Sequence, residues 1–159
     1  GRVGRLIVTT LERRGFRCVV IEEDLRLVRD LRERGAPVLR GSAENPAVLE
    51  QAPLASAAVL VVAVPDPLVA RQIVTNARRD HRRLPIVVRS HSGSERDALL
   101  RLGATEVVVG ETELGLEMTR FALRRLGLSG VEAQAILQGM RGGQPSRGGG
   151  PPESTSGQP

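Results

Sequence analysis

The residues best equipped for chemistry open the chain: Gly1-Arg2-Val3-Gly4, followed by Glu22 at the end of the apolar run Val19-Val20-Ile21. A dinucleotide-binding turn reads Gly-x-Gly-x-x-Gly, with an acidic residue about 20 positions later. Gly1 and Gly4 stand where the second and third glycines belong, and Glu22 stands where the acid belongs. A glycine at position 1 lets backbone approach a pyrophosphate with no Cβ in the way. Gly4 is expected to let the first helix pack close to the sheet, and Arg2 to offer a guanidinium to phosphate. The helix N-terminus beyond them supplies unpaired N–H groups and a positive dipole end. Glu22 is suited to accept hydrogen bonds from ribose hydroxyls. The first glycine and first strand of this pattern would precede residue 1, so the chain is read as cut at its N-terminus.

Other chemistries lack their residues. The chain has a single cysteine, Cys18, set in an apolar run, so a buried inert thiol is expected and an internal disulfide is excluded. His81 and His91 have no cysteine or carboxylate at metal-ligand spacing, and no metal site is expected. No Ser-His-Asp or Cys-His arrangement stands out. The 159 residues carry a net charge of +5, and every basic residue is arginine. These arginines are scattered along the helical segments, with no aromatic side chains interleaved for base stacking, which argues against nucleic acid. The densest group, Arg78-Arg79-Asp80-His81-Arg82-Arg83, falls at a helix end, where cations complement the dipole.

The elements that must hold the glycines and the acid come in alternation. Residues 5–14 read as a helix with Leu6, Ile7, Thr10 and Leu11 on one face and Gly15 as its stop. Residues 17–21 read as a strand buried on both faces. Asp24 caps a helix bearing Leu27, Val28 and Leu31, ended by Gly35. Residues 37–40 form a short strand, Gly41-Ser42-Ala43 the loop after it, and Asn45-Pro46 starts a short helix. Residues 57–64 are the strongest strand signal. Pro65 breaks it, and Asp66 caps a helix burying Leu68, Val69, Ile73, Val74 and Ala77. Residues 85–89 form the next strand, Ser94 to Asp97 resembles a capping box, and residues 105–109 form the last strand. A helix opens at Thr112, carries Leu114, Met118, Phe121 and Ala122 on one side, and runs to about Leu126.

Short apolar strands alternating with helices specify an α/β, Rossmann-like doubly wound parallel sheet. Right-handed crossovers give the order 3-2-1-4-5-6, here with the first strand lacking, so the sheet is expected to have a gap at its centre. The domain spans residues 1–127. Residues 128–140 form an extra helix, and residues 141–159, rich in Gly, Pro, Ser, Gln and Thr, are expected to be disordered.

From Gly1 to about Arg125 the chain resembles the N-terminal lobe of a regulator-of-potassium-conductance (RCK) domain, most closely the cytosolic domain of Kef-type potassium/proton antiporters. The residues that carry the resemblance are Gly-Arg-Val-Gly at 1–4, Val-Val-Ile-Glu-Glu-Asp at 19–24, Leu-Arg-Glu-Arg-Gly at 31–35 and Gly-Ser-Ala at 41–43. They continue as Val-Val-Ala-Val-Pro-Asp at 61–66, Ile-Val-Val-Arg-Ser-His at 86–91, Leu-Gly-Ala-Thr-Glu-Val-Val at 102–108 and Gly-Glu-Thr-Glu-Leu-Gly-Leu-Glu-Met at 110–118. The resemblance implies a non-catalytic nucleotide sensor at the inner face of the plasma membrane, part of a membrane cation transporter. The ligand would be NAD(H), AMP or ATP. It implies that Gly1, Arg2, Val3 and Gly4 face phosphates, Glu22 and Asp24 the ribose side, and Ser42, Ala43, Val64, Pro65 and Asp66 the adenosine, with Arg89 nearby. The helix after Thr112 would pair two copies into a homodimer. The family pattern has Gly-Asp-Ala where this chain has Gly-Ser-Ala, so Ser42 offers a hydroxyl in place of a carboxylate.

Bland roles compete at each position: Asp24 and Asp66 cap helices whatever binds, Glu22 has the lesser alternative of a solvated acid at a strand end, and Arg89 suits a surface pair with a neighbouring carboxylate as well as the pocket. The rival functions are a nucleotide-dependent oxidoreductase fragment on the same fold and a ligand-free dimerisation module. A short-chain dehydrogenase needs Tyr and Lys beside its nicotinamide, and this chain contains neither.

Overall fold

A computed structural model describes residues 1–142. Two compact units divide the chain, one from Gly1 to Glu113 and one from Leu114 onward. In the first, α1 (Arg2–Arg13), β1 (Val20–Glu22), α2 (Leu25–Glu33), β2 (Val38–Arg40), α3 (Pro46–Leu49), β3 (Leu60–Val62), α4 (Pro67–Asp80), β4 (Ile86–Ser90), α5 (Gly93–Arg101) and β5 (Glu106–Val109) alternate as the sequence predicts.

All strand pairs are parallel, in two groups. One is β1-β2 and the other β3-β4-β5. In the numbering of the predicted order, which counts an expected strand ahead of β1, these are the 3-2 and 4-5-6 portions. Among the described residues no strand joins the two groups.

Turn chemistry fixes where helices begin and end. Asp24 Oδ1 accepts from the backbone N–H of Arg26 and Leu27 at 2.7 and 3.2 Å, and Asp66 Oδ1 does the same for Leu68 and Val69 at 2.8 and 3.2 Å. Asn45 caps α3, with Pro46 in the first turn. The residue after each of α1 and α2 is followed by a glycine in the left-handed region, Gly15 and Gly35. The cap of α5 is Ser92 rather than Ser94: Ser92 Oγ accepts from Glu95 N–H at 3.3 Å, which starts the helix at Gly93. The capping box placed over Ser94–Asp97 is therefore two residues too late.

The core is formed by Val62, Ile73, Val74, Ile86, Val88 and Leu99, joined by Leu49, Leu54 and small residues of α4. On α4 the buried stripe runs through Ala70, Ile73, Val74 and Ala77, and Leu68, expected inside, is exposed. Leu68 sits in the first turn, beside the cap, where the stripe has not yet turned inward. On α1 no residue is buried, and Leu6 and Thr10, placed on the packed face by the sequence pattern, are exposed. The predicted strand at 57–64 contracts to Leu60–Val62, preceded by a 3₁₀ turn over Leu54–Ser56. That at 17–21 shifts to Val20–Glu22, because the ladder with β2 begins at Val38 and sets where pairing starts.

Cys18 is half-buried, and desolvation, with a smaller contribution from Glu12, holds its thiol above the usual cysteine value. The arginine group at 78–83 is structural at its first member. Arg78 donates to the carbonyls of Gly103, His81 and Arg82, closing the end of α4.

In the second unit the described part of α6 (Gly110–Arg125, with Leu114 its first residue there) is followed by α7 (Gly130–Gly142). A reciprocal capping box starts α7: Ser129 Oγ accepts from Glu132 N–H, and Glu132 Oε2 accepts from Ser129 N–H at 2.9 Å. Leu116, Ala133 and Leu137 are buried, whereas Leu114, Met118 and Phe121 stand 62, 64 and 55% exposed. The predicted tail overlaps the described residues at 141–142, which are helical and end α7, and its remainder lies outside them.

Candidate functional site

In a parallel α/β sheet the loops after the strands gather at one edge, where ligands bind. Here those loops are Glu23-Asp24 after β1, Gly41-Ser42-Ala43 after β2, Ala63 to Asp66 after β3, and His91-Ser92 after β4. Backbone bonds bring the first two together: Gly41 N–H donates to Glu22 O at 3.0 Å, continuing the β1-β2 ladder past its last pair. A side chain ties α4 to the second loop, since Asn76 Nδ2 donates to Glu44 O at 2.8 Å.

Glu22 ends β1 with its carboxylate held on both sides. Oε1 accepts from the backbone N–H of Glu23 and Asp24 at 3.0 and 3.1 Å. Oε2 lies 3.5 Å from the Gly1 nitrogen, at the N-terminal end of α1. The two segments that the glycine-to-acid spacing singled out thus meet in space. Oε1 is committed to backbone, and Oε2 faces the helix end that would receive an anion.

Gly1 occupies the cap position of α1, with no side chain to satisfy the first N–H groups. Arg2 and Val3 are exposed in the first turn, and Arg2 has no hydrogen bond or ion pair among the described residues. Gly4 departs from expectation. A Cβ built on it meets nothing within 4 Å, so the described structure gives no packing reason for glycine there. Gly41 does have a reason: its φ is +148°, and a Cβ would come within 2.8 Å of Val48 Cγ2.

Asp24 points its Oδ1 into the start of α2, and those two N–H groups hold its carboxyl below the usual aspartate value. Asp66 is likewise occupied as a cap. Ser42 and Ala43 are half-buried, and the Ser42 hydroxyl has no hydrogen bond among the described residues. Val64 packs against the core, whereas Pro65 is exposed at the loop tip. Along β4, Ile86, Val88 and Ser90 are buried on one face. Arg89 therefore falls on the other face, half-buried, with no ion pair among the described residues.

Sequence reasoning missed the polar cluster at the end of β4. Ser90 and Glu95 are both buried, and Glu95 Oε2 accepts from Ser90 Oγ at 3.1 Å and from His91 N–H at 2.8 Å. The signal was available: Glu95 stands three residues after Ser92, the spacing of a capping pair. Each unit also has an open cleft lined by none of these loop residues. One, of about 580 Å³, is lined by Leu54, Leu84, Arg79, Arg82 and Arg83. The other, of about 330 Å³, is lined by Phe121, Arg124 and Arg125. Among the described residues no group of three or more His, Cys, Asp or Glu side chains could hold a metal ion, and no helix is long and apolar enough to cross a membrane.

Residues 1–110 match the TrkA-N domain family. The putative cation/proton antiporter YbaL of Escherichia coli K12 is 35% identical over 118 residues, covering 74% of this chain and 21% of that protein. The crystal structure of its TrkA-N domain superposes with a TM-score of 0.72, over 74% of this chain and 87% of the other. The glutathione-regulated potassium-efflux system protein KefC of Enterobacter sp. strain 638 is 33% identical over 135 residues, covering 84% of this chain and 22% of that protein. The Kef C-terminal domain of Shewanella denitrificans, solved in an AMP-bound form, shares the fold at 24% identity. Its TM-score is 0.74, over 89% of this chain and 86% of the other. The chain spans about a fifth of the length of these curated relatives. By its sequence over residues 1–110 and by its parallel α/β fold, the chain belongs to the TrkA-N family of RCK-type domains.

Proposed function

We propose that this chain is a nucleotide-sensing regulatory domain that governs a potassium or other cation transporter of the antiporter or channel kind. Its place is the cytoplasmic face of the membrane, and its role is binding rather than catalysis. The observation that carries the reading is the Glu22 carboxylate at the end of β1, oriented by the N–H groups of Glu23 and Asp24 and so suited to ribose. It stands beside the Gly41 turn at the sheet edge where such folds bind nucleotides. Ser42, Ala43, Val64, Pro65 and Asp66 lie on the neighbouring loops and supply the adenosine side, with Arg2 and Arg89 as cations unpaired among the described residues. Asp24 contributes mainly by building the turn.

The output is linkage. A nucleotide that prefers one geometry of a domain pair shifts the transporter by its differential affinity for the two geometries, and by no more. The pair forms through α6, where Leu114, Met118 and Phe121 repeat at i, i+4 and i+7 as an exposed apolar row. Light scattering on the full chain should report a dimer, and Met118→Asp with Phe121→Asp should make it monomeric.

The reading is tested by thermal unfolding of the full chain with AMP, ATP, NAD and NADH. A ligand bound only by the folded state raises stability by RT ln(1 + [L]/Kd), about 2.7 kcal/mol at a hundredfold excess over Kd. The decisive variant is Gly4→Asp. Its side chain has open space, and an acid in a first helical turn complements the dipole, so the unliganded protein should be no less stable. The same charge repels phosphate, so the nucleotide response should vanish. Absence of any response in the wild type would leave an assembly module without ligand.

A further inference from the structure

We propose that His91 is a positioning residue for the ligand loop: it holds the Pro65–Asp66 peptide so that the Asp66 N–H is presented to the nucleotide. The inference deepens the nucleotide-sensing reading and rests on it.

The geometry has a mount, an arm and a target. The mount is the buried pair at the end of β4. Glu95, 7% exposed, accepts from both Ser90 Oγ and the backbone N–H of His91. Ser90, fully buried, has one hydroxyl proton, shared between Glu95 Oε2 and Ser92 O at 2.8 Å, and its oxygen accepts from Ser92 N–H at 3.2 Å. These bonds fix the backbone on both sides of His91. The arm is the imidazole, which reaches from the β4 loop to the β3 loop, where Nε2 lies 2.9 Å from Pro65 O. A carbonyl only accepts, so Nε2 carries the proton and donates.

The target is the peptide plane. In a trans peptide the carbonyl and the following N–H point in opposite directions. Drawing Pro65 O toward β4 turns the Asp66 N–H away from β4. That N–H has no hydrogen-bond partner among the described residues: it precedes the helical ladder, and Val69, at the position where a Glu or Gln could reach back to it, has no acceptor. Pro65 itself has no N–H to offer. Of the N–H groups of this loop without a partner among the described residues, that of Asp66 is the one whose direction His91 sets. The complementary ligand group is an acceptor, a ring nitrogen or a hydroxyl or phosphate oxygen of the nucleotide.

The test compares wild type, His91→Ala and His91→Gln in the full chain. AMP and NAD binding is followed by calorimetry, and the Asp66 amide by ¹⁵N–¹H correlation. In the wild type, nucleotide should shift the Asp66 amide resonance. Loss of a single hydrogen bond should weaken binding by about five- to tenfold in His91→Ala. Gln carries a side-chain N–H₂ that can reach the same carbonyl, so His91→Gln should recover most of the affinity, a rescue that a merely steric role would not give. If the wild type binds nucleotide and His91→Ala binds it equally well, the positioning role is wrong and the sensor reading stands. Weakened binding in His91→Ala with the Asp66 amide still shifted as in the wild type would also overturn it. If the wild type binds no nucleotide, both fail together.

Discussion

The β3-β4-β5 half of the first unit and the α1-β1-α2-β2 half are built on one plan and packed very differently. Nearly all the buried apolar side chains belong to the first: Val62, Ile73, Val74, Ile86, Val88 and Leu99 form one cluster. In the second, Val28 is the one fully buried side chain of its described helices and strands, and α1 buries none. Yet the second half holds Gly1, Glu22 and the Gly41 turn, the parts suited to phosphate and ribose. The difference teaches that the proposed site draws on both kinds of packing. The packed half carries the β3 and β4 loops proposed for adenosine, and the lightly packed half carries Gly1, Glu22 and the Gly41 turn proposed for phosphate and ribose. Binding would then stabilise the second half more than the first, which is how a ligand changes an equilibrium between domain geometries.

The largest expected effect tests that contrast in its unliganded form. Ile73→Ala removes a side chain from the centre of the packed half and should cost about 2–5 kcal/mol of unfolding free energy. Leu31→Ala, on the half-buried face of α2, should cost about 1 kcal/mol, in proportion to the smaller area it covers. Urea unfolding of both variants measures the difference, and equal costs would break the comparison.

A smaller effect separates two glycines of the lightly packed half. Gly41→Ala must place a Cβ within 2.8 Å of Val48 Cγ2 at a φ of +148°, which should cost about 1–3 kcal/mol. Gly4→Ala meets nothing and sits in a helix, so it should stabilise by about 0.5–1 kcal/mol. The two midpoints should move in opposite directions. A loss at Gly4 as large as that at Gly41 would mean that the helix packs more closely than its open surroundings show.

The same contrast marks what was legible in the sequence. Three helix starts were, because a cap is a local device: Asp24, Asn45 and Asp66 each declare themselves by their own type and by the helix-forming run after them. The starts of α1 and α6, read at residue 5 and Thr112, and the cap of α5, read at Ser94, lie two or three residues earlier. Strand order came from alternation and handedness. Strand length did not, since the ladder is set by the partner. Residues 18–19 and 57–59 are apolar enough for strand but are not paired in a ladder. Burial was read correctly where a stripe is long, as along α4 from Ile73 to Ala77, and wrongly at Leu6 and Leu68, where exposure depends on neighbours in space. At the proposed site, the spacing of Gly1 and Glu22 matched a proximity in space, since the start of α1 lies beside the end of β1. The His91 to Pro65 contact carried none, as it joins loops 26 residues apart through a side chain with no motif of its own.

Ser42 sharpens the comparison at the ligand. A carboxylate there would accept from an adenine amino group where the hydroxyl now stands, and a hydrogen bond to a charged group is worth about 1.5–3 kcal/mol. Ser42→Asp should therefore tighten AMP binding about tenfold by calorimetry while leaving the packed half untouched. Weaker binding would put phosphate rather than adenine beside this loop.

The smallest effect is at Asp24, which links the lightly packed half to pH. Its carboxyl is held below the usual aspartate value by the N–H groups of Leu27 and Arg26. A depressed folded-state value means that the contribution is fully present above the unfolded aspartate value, about pH 4, and is lost as pH falls through the folded value. Asn is about as good a cap as Asp but does not titrate. Asp24→Asn should thus be slightly less stable than wild type at neutral pH, lacking the charge that complements the N-terminus of α2. The gap should close on acidification, because the wild type gives up that charge and the variant has none to give. Urea midpoints for the two proteins should converge below about pH 3. Parallel curves across that range would mean that the side chain works at this turn by hydrogen bonding alone, and that its charge is free for another partner.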